Sequence, residues 1–415
     1  MNEWIDNMEK EITSEGYQMP SLELLDEYIP ESEALDEEEE EELSGMVVGV
    51  IWNILERGKV RVKGIEYVLG PAVTLYKIFP EQRTKISQVR SLVEETLNLE
   101  RTRVVTLEDS IGIEIANDHR EVVPMRSVLS KKAFRDNNAE LPVDIGRTFG
   151  NEVMVFDLAK APHLLIAGAT KQGKTTAIHA IVASLLYSKH PEELKFVFID
   201  PKGCEFSVYE RLSGHYIASV PGEKPIVQTT AHAAKTLAAL CEEMDHRYEL
   251  LSRTHTSNIC AYNKRVSETL PYIVTIIDEY ADLTIPAGRD KEARNMSHSI
   301  TESIIRLAQC GRAVGIHVVL TTQRPLGGIT SLVKANFPAR IAVRTISATD
   351  SRIILDTPGA ERLIGSGDMI FQIGGEETRL QGACISPEEI DRLTSYVESS
   401  PDSGSPYCLP TSFLK

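Results

Sequence analysis

The sequence predicts an α/β protein in which a large, mostly parallel sheet follows a small α+β domain. From about residue 146, short apolar runs alternate with longer helical stretches. This alternation is typical of a parallel sheet with helices on both faces. Residues 45–145 differ, because β-branched runs there surround one helical stretch. A glycine-rich loop joins an apolar run to a helix early in the second region, and it indicates where that region binds a ligand.

The first 44 residues are strongly acidic. They hold 17 acidic residues and one basic residue, Lys10, and thus −16 of the chain's formal charge of −17. The segment ends in seven consecutive acids, Asp36 to Glu42. We expect residues 1–44 to be a largely disordered, solvated segment. Two alternatives are a helix that begins in the run, since acids favour a helix N-terminus, and mimicry of DNA charge. The near-neutral remainder is compatible with a local basic surface for nucleic acid.

Several classes of protein are excluded. No uncharged apolar run approaches the roughly 18–20 residues of a membrane helix, and the acidic N-terminus is unlike a secretory signal. The six cysteines form no Cys-x-x-Cys pair and the ten histidines form no metal-binding pair, so no zinc site is expected. We expect a cytoplasmic chain without a membrane segment.

Residues 45–145 contain the elements of the small domain. Gly64–Leu75 places a Gly-Pro turn between two strand-like runs. Ile86–Leu99 has helical periodicity, and Val104–Ile115 returns to a strand-like pattern. Residues 131–140 are polar and predict a linker.

Residues 146–400 contain the elements of the large domain, and residues 401–415 form a tail. The predicted strands are His163–Ala167, Phe196–Ile199, Tyr272–Ile277, Ile316–Thr321 and Arg340–Val343. The predicted helices are Lys174–Tyr187, Ala231–Leu251 and Ile300–Ala313. Sheets of this kind bind ligands at the carboxyl ends of their strands.

The loop after the strand His163–Ala167 has the pattern G-x-x-x-x-G-K-[ST] between a strand and a helix. It consists of Gly168, Ala169, Thr170, Lys171, Gln172, Gly173, Lys174, Thr175 and Thr176. Such a loop points backbone N–H groups at a polyphosphate, and the helix N-terminus adds positive potential. Lys174 is predicted to neutralise the β- and γ-phosphates of ATP, and Thr175 to bind Mg²⁺. Lys171 would cost about 1 kcal/mol if its position required a left-handed conformation.

Two carboxylates end another apolar strand. Asp278 and Glu279 directly follow Tyr272–Ile277. In nucleotide hydrolases a strand-end aspartate holds the Mg²⁺ shell, and a second polar group orients the attacking water. We assign the first role to Asp278 and the second to Glu279, which favours an ATPase over a nucleotide sensor.

Beyond these two motifs, the sequence resembles the FtsK/SpoIIIE family of DNA translocases over roughly residues 45–410. The resemblance is carried, in family order, by His163–Thr170, Phe198–Lys202, Pro271–Val274, Asp278–Leu283, Arg306–His317, Thr322–Pro325, Lys334–Asn336, Asp350–Arg352 and Gly367–Met369.

The resemblance implies a RecA-like P-loop β domain over 146–400, preceded by an α domain over 45–145. It also implies a homo-oligomer, a hexameric ring that hydrolyses ATP at subunit interfaces and pumps double-stranded DNA through its channel, in chromosome segregation or DNA transfer. A secretion ATPase of the same superfamily, which moves protein, is the alternative. The family's winged-helix γ domain, which reads polar DNA sequences, would follow residue 410, so we expect the chain to translocate DNA without reading its direction. Because the family is membrane-anchored, the chain would be either a trimmed motor or a soluble paralogue.

The family also implies roles for further residues. In the family, an arginine finger of one subunit acts on the γ-phosphate bound by the neighbouring subunit, and we favour Arg312 over Arg306 for this role. The alternative for each is an ordinary surface arginine. Gln323 resembles a γ-phosphate sensor, or else a structural loop amide, and Asp200 is a candidate for orienting the site. In the family, loops around three cations of this sequence would face the DNA: Arg324, Lys334 and Arg352. The alternative for each of them is an ordinary surface charge. Ala348 replaces a lysine that is typical of this region.

Overall fold

A computed structural model describes residues 16–27, 37–82, 84–97, 102–285, 291–401 and 406–411. Within them the chain forms a small unit with a four-stranded sheet and a large unit with an eleven-stranded, mostly parallel sheet. The predicted fold class is therefore confirmed.

The small unit is an antiparallel sheet with two helices packed against it. Its elements are α1 (Glu37–Arg57), β1 (Val62–Val68), β2 (Val73–Pro80), α2 (Ile86–Leu97), β3 (Arg103–Thr106) and β4 (Ile111–Ala116). The strands lie in the order β1-β2-β4-β3. Ile51 and Leu55 of α1, Val89 and Val93 of α2, and Ile113 of β4 are almost fully buried, so apolar residues at helical spacing fix both helices on the sheet.

Helix α1 begins inside the acidic run. The helical alternative therefore describes the acids from Glu37 onward, whose charges are favourable near a helix N-terminus. The expectation that residues 1–44 are largely disordered needs correction in the described part, because residues 37–44 are helical and residues 16–27 are packed. Residues 1–15 and 28–36, which include most of the segment's remaining acids, lie outside the described residues.

Residues 16–27, which we call the N-terminal strap, lie on the large unit. Tyr17 is buried and its hydroxyl lies 3.1 Å from that of Tyr216. Leu25 is also buried, and its carbonyl accepts a hydrogen bond of 2.9 Å from Arg126. Arg392 donates to the carbonyl of Leu24 at 2.9 Å. The buried apolar residues of this acidic segment thus pack against the core of the large unit.

The residues between the two sheets belong to the large unit. β5 (Val123–Pro124), α3 (Met125–Leu129) and α4 (Lys132–Arg135) follow β4, and Val128 and Phe134 are buried in the large core. The predicted polar linker therefore contains a helical turn, and the boundary between units lies near residues 117–123 and not at 145.

The large sheet has a parallel centre and an antiparallel flank. Its strands are β6 (Pro142–Thr148), β7 (Val153–Asp157), β8 (His163–Ala167), β9 (Leu194–Ile199), β11 (Ile226–Val227), β12 (Tyr272–Ile277), β13 (Ile316–Thr322), β14 (Ala339–Val343), β15 (Asp368–Ile373) and β16 (Glu376–Cys384), with β5 paired to β16. The order is β11-β9-β12-β13-β8-β14-β15-β16-β6-β7. The six strands from β11 to β14 are parallel, and the pairs beyond β14 on this path are antiparallel.

Helices cover the large sheet. They are α5 (Lys174–Leu186), α6 (Thr230–Arg253), α7 (Ile259–Asn263), α8 (Tyr280–Thr284), α9 (Lys291–Cys310), α10 (Pro325–Gly328), α11 (Ser331–Asn336), α12 (Ala348–Leu355) and α13 (Pro387–Ser399). Among the described residues, no helix has both the length and the apolar character that crossing a bilayer requires. Near the C-terminus, β17 (Tyr407–Cys408) pairs with β10 (Ala218–Ser219), so part of the predicted tail is structured.

Candidate functional site

The glycine-rich loop lies at the carboxyl end of β8, between that strand and the N-terminus of α5. Gly168 and Gly173 have φ of 150° and 109°. A Cβ on Gly173 would lie 2.8 Å from the Cα of Gly367, so glycine is required there by both conformation and space. Lys171 has φ of 60°, the left-handed conformation whose cost was anticipated for a residue other than glycine.

Lys174, the invariant lysine of the loop pattern, is held by the carboxylates that end β12. Its Nζ lies 2.7 Å from Oδ1 of Asp278 and 4.0 Å from Oε2 of Glu279. All three side chains are almost completely buried. The carboxylates therefore neutralise the charge of the lysine, and a triphosphate would compete for the same cation.

Glu279 lies in a strained conformation, with φ of 48°. One of its carboxylate oxygens accepts a hydrogen bond from the hydroxyl of Thr322 at 2.8 Å, and the other accepts from the backbone N–H of Gln323 at 2.9 Å. Oδ1 of Asp278 accepts from the hydroxyl of Thr321 at 3.0 Å. The end of β13 thus orients both acids.

Sequence reasoning missed these two threonines. Their signal was a pair of hydroxyl residues that ends an otherwise apolar strand, Ile316–Thr322, next to β8 in the sheet. Gln323 was predicted, and its Oε1 accepts a hydrogen bond of 2.9 Å from Thr170 of the loop. The structure therefore brings Lys174, Asp278, Glu279 and Gln323 together at one edge of the sheet.

The residues at this edge fit a magnesium ion bound together with ATP. Mg²⁺ prefers oxygen ligands and is usually held by one or two carboxylates and substrate phosphates. The Thr175 hydroxyl and the Asp278 carboxylate supply such oxygens beside the loop. No cluster of three or more His, Cys, Asp or Glu side chains that could hold a metal occurs among the described residues.

Beside the loop lies a cavity of about 610 Å³. Gln323 and Glu205 are among the residues that line it. Much of the remaining lining comes from three segments that sequence reasoning did not single out, residues 120–123, residues 364–367 and the end of β16 at Gln381, Gly382 and Cys384. They are distant in sequence, so no local pattern could have indicated them.

Asp200 does not face the phosphate loop. Its carboxylate accepts hydrogen bonds from the backbone N–H groups of Lys202, Gly203, Glu205 and Phe206 at 2.8–3.1 Å. Asp200 therefore shapes the turn after β9, which carries Glu205 to the cavity.

Neither candidate finger lies near the loop of its own chain. Arg312 is exposed in the turn Gly311–Val314, just before β13, whereas the phosphate loop lies beyond the other end of the neighbouring strand β8. The seven residues of β13 span about 20 Å. Arg306 is bound to both carboxylate oxygens of Asp245 at 2.8 Å, whereas Arg312 has no ion pair with any residue that the structure describes.

The three candidate DNA contacts follow β13 in the chain. Arg324 and Arg352 are exposed. Lys334 is less free, because its Nζ lies 2.6 Å from Asp356, which also binds Arg340 at 2.7 Å. The two cations lower the pKa of Asp356, chiefly through the hydrogen bond from Lys334. Lys334 would therefore have to leave this pair to contact a phosphate.

Comparison with protein families separates the chain where the structure does. A model described as FtsK alpha domain matches residues 19–117, and one described as FtsK/SpoIIIE family matches residues 124–326. The match that begins at 124 agrees with the placement of β5, α3 and α4 in the large unit.

Two curated relatives are similar along most of the chain. The DNA translocase FtsK of Haemophilus influenzae is 36% identical over 408 residues, which cover 90% of this chain and 73% of that protein. The DNA translocase FtsK of Chlorobaculum tepidum is 40% identical over 399 residues, which cover 93% of this chain and 48% of that protein. The chain thus spans about half the length of the Chlorobaculum protein.

A solved structure supports the fold. The monomeric conjugation coupling protein TcpA of pCW3, determined with ATPgS, superposes with a TM-score of 0.60 at 23% identity, covering 84% of this chain and 98% of that one. The shared architecture is that of a P-loop ATPase.

Proposed function

Because this chain belongs to the FtsK/SpoIIIE family, we propose that it is an ATP-driven motor that moves double-stranded DNA through the channel of a hexameric ring. The observation that carries the proposal is the convergence of Lys174, Asp278, Glu279 and Gln323 beside a phosphate loop. Catalysis of phosphoryl transfer needs positioning and charge stabilisation, and these four groups supply both. A motor that acts on chromosomal DNA works in the cytoplasm, the location expected from the sequence.

ATP binding in this proposal exchanges one partner of Lys174 for another. The ammonium leaves Asp278 for the β- and γ-phosphates, and Asp278 and Thr175 are then free to hold Mg²⁺. The ion, when bound, neutralises charge between those phosphates. Glu279 then gives up its hydrogen bonds with Thr322 and Gln323 and orients the water that attacks the γ-phosphate. Gln323 senses whether that phosphate is present.

Hydrolysis in the ring would need a residue from the neighbouring subunit. Arg312 supports this role, because it is exposed, lies at the opposite edge of the sheet from its own loop and is not paired with any described acid. Its guanidinium would stabilise negative charge on the neighbour's γ-phosphate, an effect worth about 10³-fold or more in related hydrolases.

DNA contact in this proposal falls to Arg324 and Arg352, and to Lys334 after it leaves Asp356. Contacts of this kind bind phosphates without reading sequence and weaken as salt rises. The acidic N-terminal segment does not conflict with them, because the rest of the chain is nearly neutral.

The proposal is tested by steady-state ATP hydrolysis with and without linear duplex DNA across a salt series. We expect strong stimulation by DNA that declines as salt rises. Hydrolysis that duplex DNA does not change would contradict the proposal and favour the secretion-type alternative. Lys174→Ala is the control for contaminating ATPase, because it removes the phosphate-binding cation.

A further inference from the structure

We propose that the connector between the two units, residues 120–123, binds the base and ribose of the nucleotide, and that Arg120 is its principal contact. The inference rests on the proposed function and deepens it, because it assigns the part of the ATP site that holds the nucleoside. It makes the small unit a participant in nucleotide binding.

The cavity has two chemically different ends. Glu279 and Gln323 define the end where the γ-phosphate and the attacking water meet, and Lys174 lies beside them. The nucleoside is at the opposite end of the triphosphate, so it must extend away from Glu279. Apart from the loop, Glu205 and Gln323, the cavity is lined by Ala72, by the connector, by residues 364–367 and by the end of β16, and we assign this remaining lining to the nucleoside.

The lining of this second end suits a flat aromatic base. Val122 is a large apolar residue that is nevertheless 52% exposed, whereas Val123 and Ile364 beside the cavity are buried. Arg120 is exposed. Among the described residues that line the cavity, the cations are Arg120 and the two lysines of the loop. A guanidinium stacks on planar rings and donates hydrogen bonds in the same plane. Apolar walls with a few polar groups are typical of small-molecule sites.

The connector is fixed in position by the small unit. The backbone N–H of Glu121 donates to the carbonyl of Pro71 at 2.8 Å, and the side chain of Asn117 donates to the carbonyl of Gly70 at 2.8 Å. The backbone N–H of Asn117 donates to the carbonyl of Ala72 at 3.0 Å. The turn at residues 70–72 therefore holds the start of the connector in place. The entropy cost of ordering the connector when a nucleotide binds is thus small.

A buried ion network fixes the opposite wall to the same unit. Arg379 of β16 lies 2.7 Å from Glu114 of β4 and 2.6 Å from Asp368 of β15. Asp368 in turn accepts a hydrogen bond of 2.7 Å from the backbone N–H of Ile364. Residues 364–367 and the connector are thus both tied to the small unit, and the two walls form one preorganised compartment.

The test compares Arg120→Ala with Arg57→Ala, which removes an exposed arginine of the small unit that does not line the cavity. Binding of ATP with Mg²⁺ and of inorganic tripolyphosphate with Mg²⁺ is measured by calorimetry on the whole chain. We expect Arg120→Ala to raise the Kd for ATP about fivefold, the scale of a cation–π contact, and to leave the Kd for tripolyphosphate unchanged. Arg57→Ala should change neither.

A second variant guards against loss of fold. Arg120→Lys keeps the positive charge and removes the planar group, so we expect the same selective loss for ATP, with tripolyphosphate binding showing that the loop is intact. Unchanged ATP binding in both Arg120 variants, or equal losses for both ligands, would overturn the inference and leave the proposed motor standing. If the wild-type chain bound neither ATP nor tripolyphosphate, and so behaved like the Lys174→Ala variant, both the inference and the proposed motor would be overturned.

Discussion

Glu279 is engaged on both carboxylate oxygens and lies in a left-handed backbone conformation. A conformation of this kind costs of the order of 1–3 kcal/mol and is found most often at functional sites. Here the hydroxyl of Thr322 and the backbone N–H of Gln323 maintain it. The residue is therefore held in one orientation by both of its carboxylate oxygens.

Replacing Glu279 with glutamine tests this role. We expect Glu279→Gln to bind ATP and to lower kcat by about 10²–10⁴-fold, the range of general acid–base catalysis, because an amide does not accept the proton of the attacking water. Glu210→Gln, which changes an exposed acid that does not line the cavity, is the matched control and should keep its activity. Steady-state turnover together with nucleotide binding measures both properties, and wild-type turnover in Glu279→Gln would exclude the role.

Asp144 gives a prediction of pH dependence. Burial raises the pKa of its carboxyl to about 8, despite opposing contributions from the backbone N–H of Gly146 and from Arg147. A pKa raised above its unfolded value stabilises the fold at low pH and loses that contribution as pH rises toward the folded pKa. The chain should therefore lose up to about 1.4 kcal/mol of stability per pH unit from this group between the unfolded pKa of about 4 and the folded pKa of about 8, with the slope declining as pH approaches 8.

Asp144→Asn should remove that slope, because the amide stays neutral. Urea unfolding of both proteins at pH 7.0, 7.5 and 8.0 measures it, and parallel stability profiles would show that Asp144 does not titrate in this range.

At the scale of elements, prediction from sequence succeeded where a structure is local. The strand His163–Ala167, the loop and the helix from Lys174 are continuous in sequence, and the structure has them at the same residues. The start of α1 at Glu37 and the helical turn at 132–135 were misjudged, because acidic or polar composition hides the few residues, such as Phe134, that tertiary packing buries. The composition of such a short segment does not show which residues elsewhere in the chain it packs against.

The turn Gly311–Val314 belongs to this scale, because its place before β13 keeps Arg312 away from the phosphate loop of its own chain. We expect Arg312→Ala and Lys174→Ala each to abolish ATP hydrolysis, and a mixture of the two to recover part of it on DNA. In a mixed ring, an intact loop can face an intact arginine of its neighbour. Arg306→Ala, which breaks the pair with Asp245, serves as the control and should remain active. Mixtures as inactive as their components would show that Arg312 does not act across an interface.

The whole molecule depends on contacts that no sequence pattern reveals. Glu114 and Arg379 are separated by 265 positions, yet their pairing joins the two units. The phosphate end of the site could be predicted, since its residues carry chemistry in short motifs. The walls of the cavity could not, since they meet only through the antiparallel flank of the sheet.

The joint between the units predicts a large effect of one substitution. Arg379 is buried with Glu114 and Asp368. Arg379→Ala leaves the buried Asp368 without an ion partner and Glu114 with Arg103 alone, so it should cost about 3–5 kcal/mol of unfolding free energy. Arg211→Ala breaks an exposed pair with Asp391 and should cost about 1 kcal/mol or less. Urea denaturation compares the two, and similar midpoints would show that the buried network contributes little.

The N-terminal strap has a mechanical consequence. Because residues 16–27 are fastened to the large unit through Tyr17, Leu25 and Arg392 before the chain enters the small unit, a tension applied ahead of residue 16 passes straight into the ATPase unit. The small unit lies outside that line of force. In the proposed motor, a load borne by the N-terminal segment would thus act on the large unit alone, and the nucleotide compartment between the units would not be pulled open.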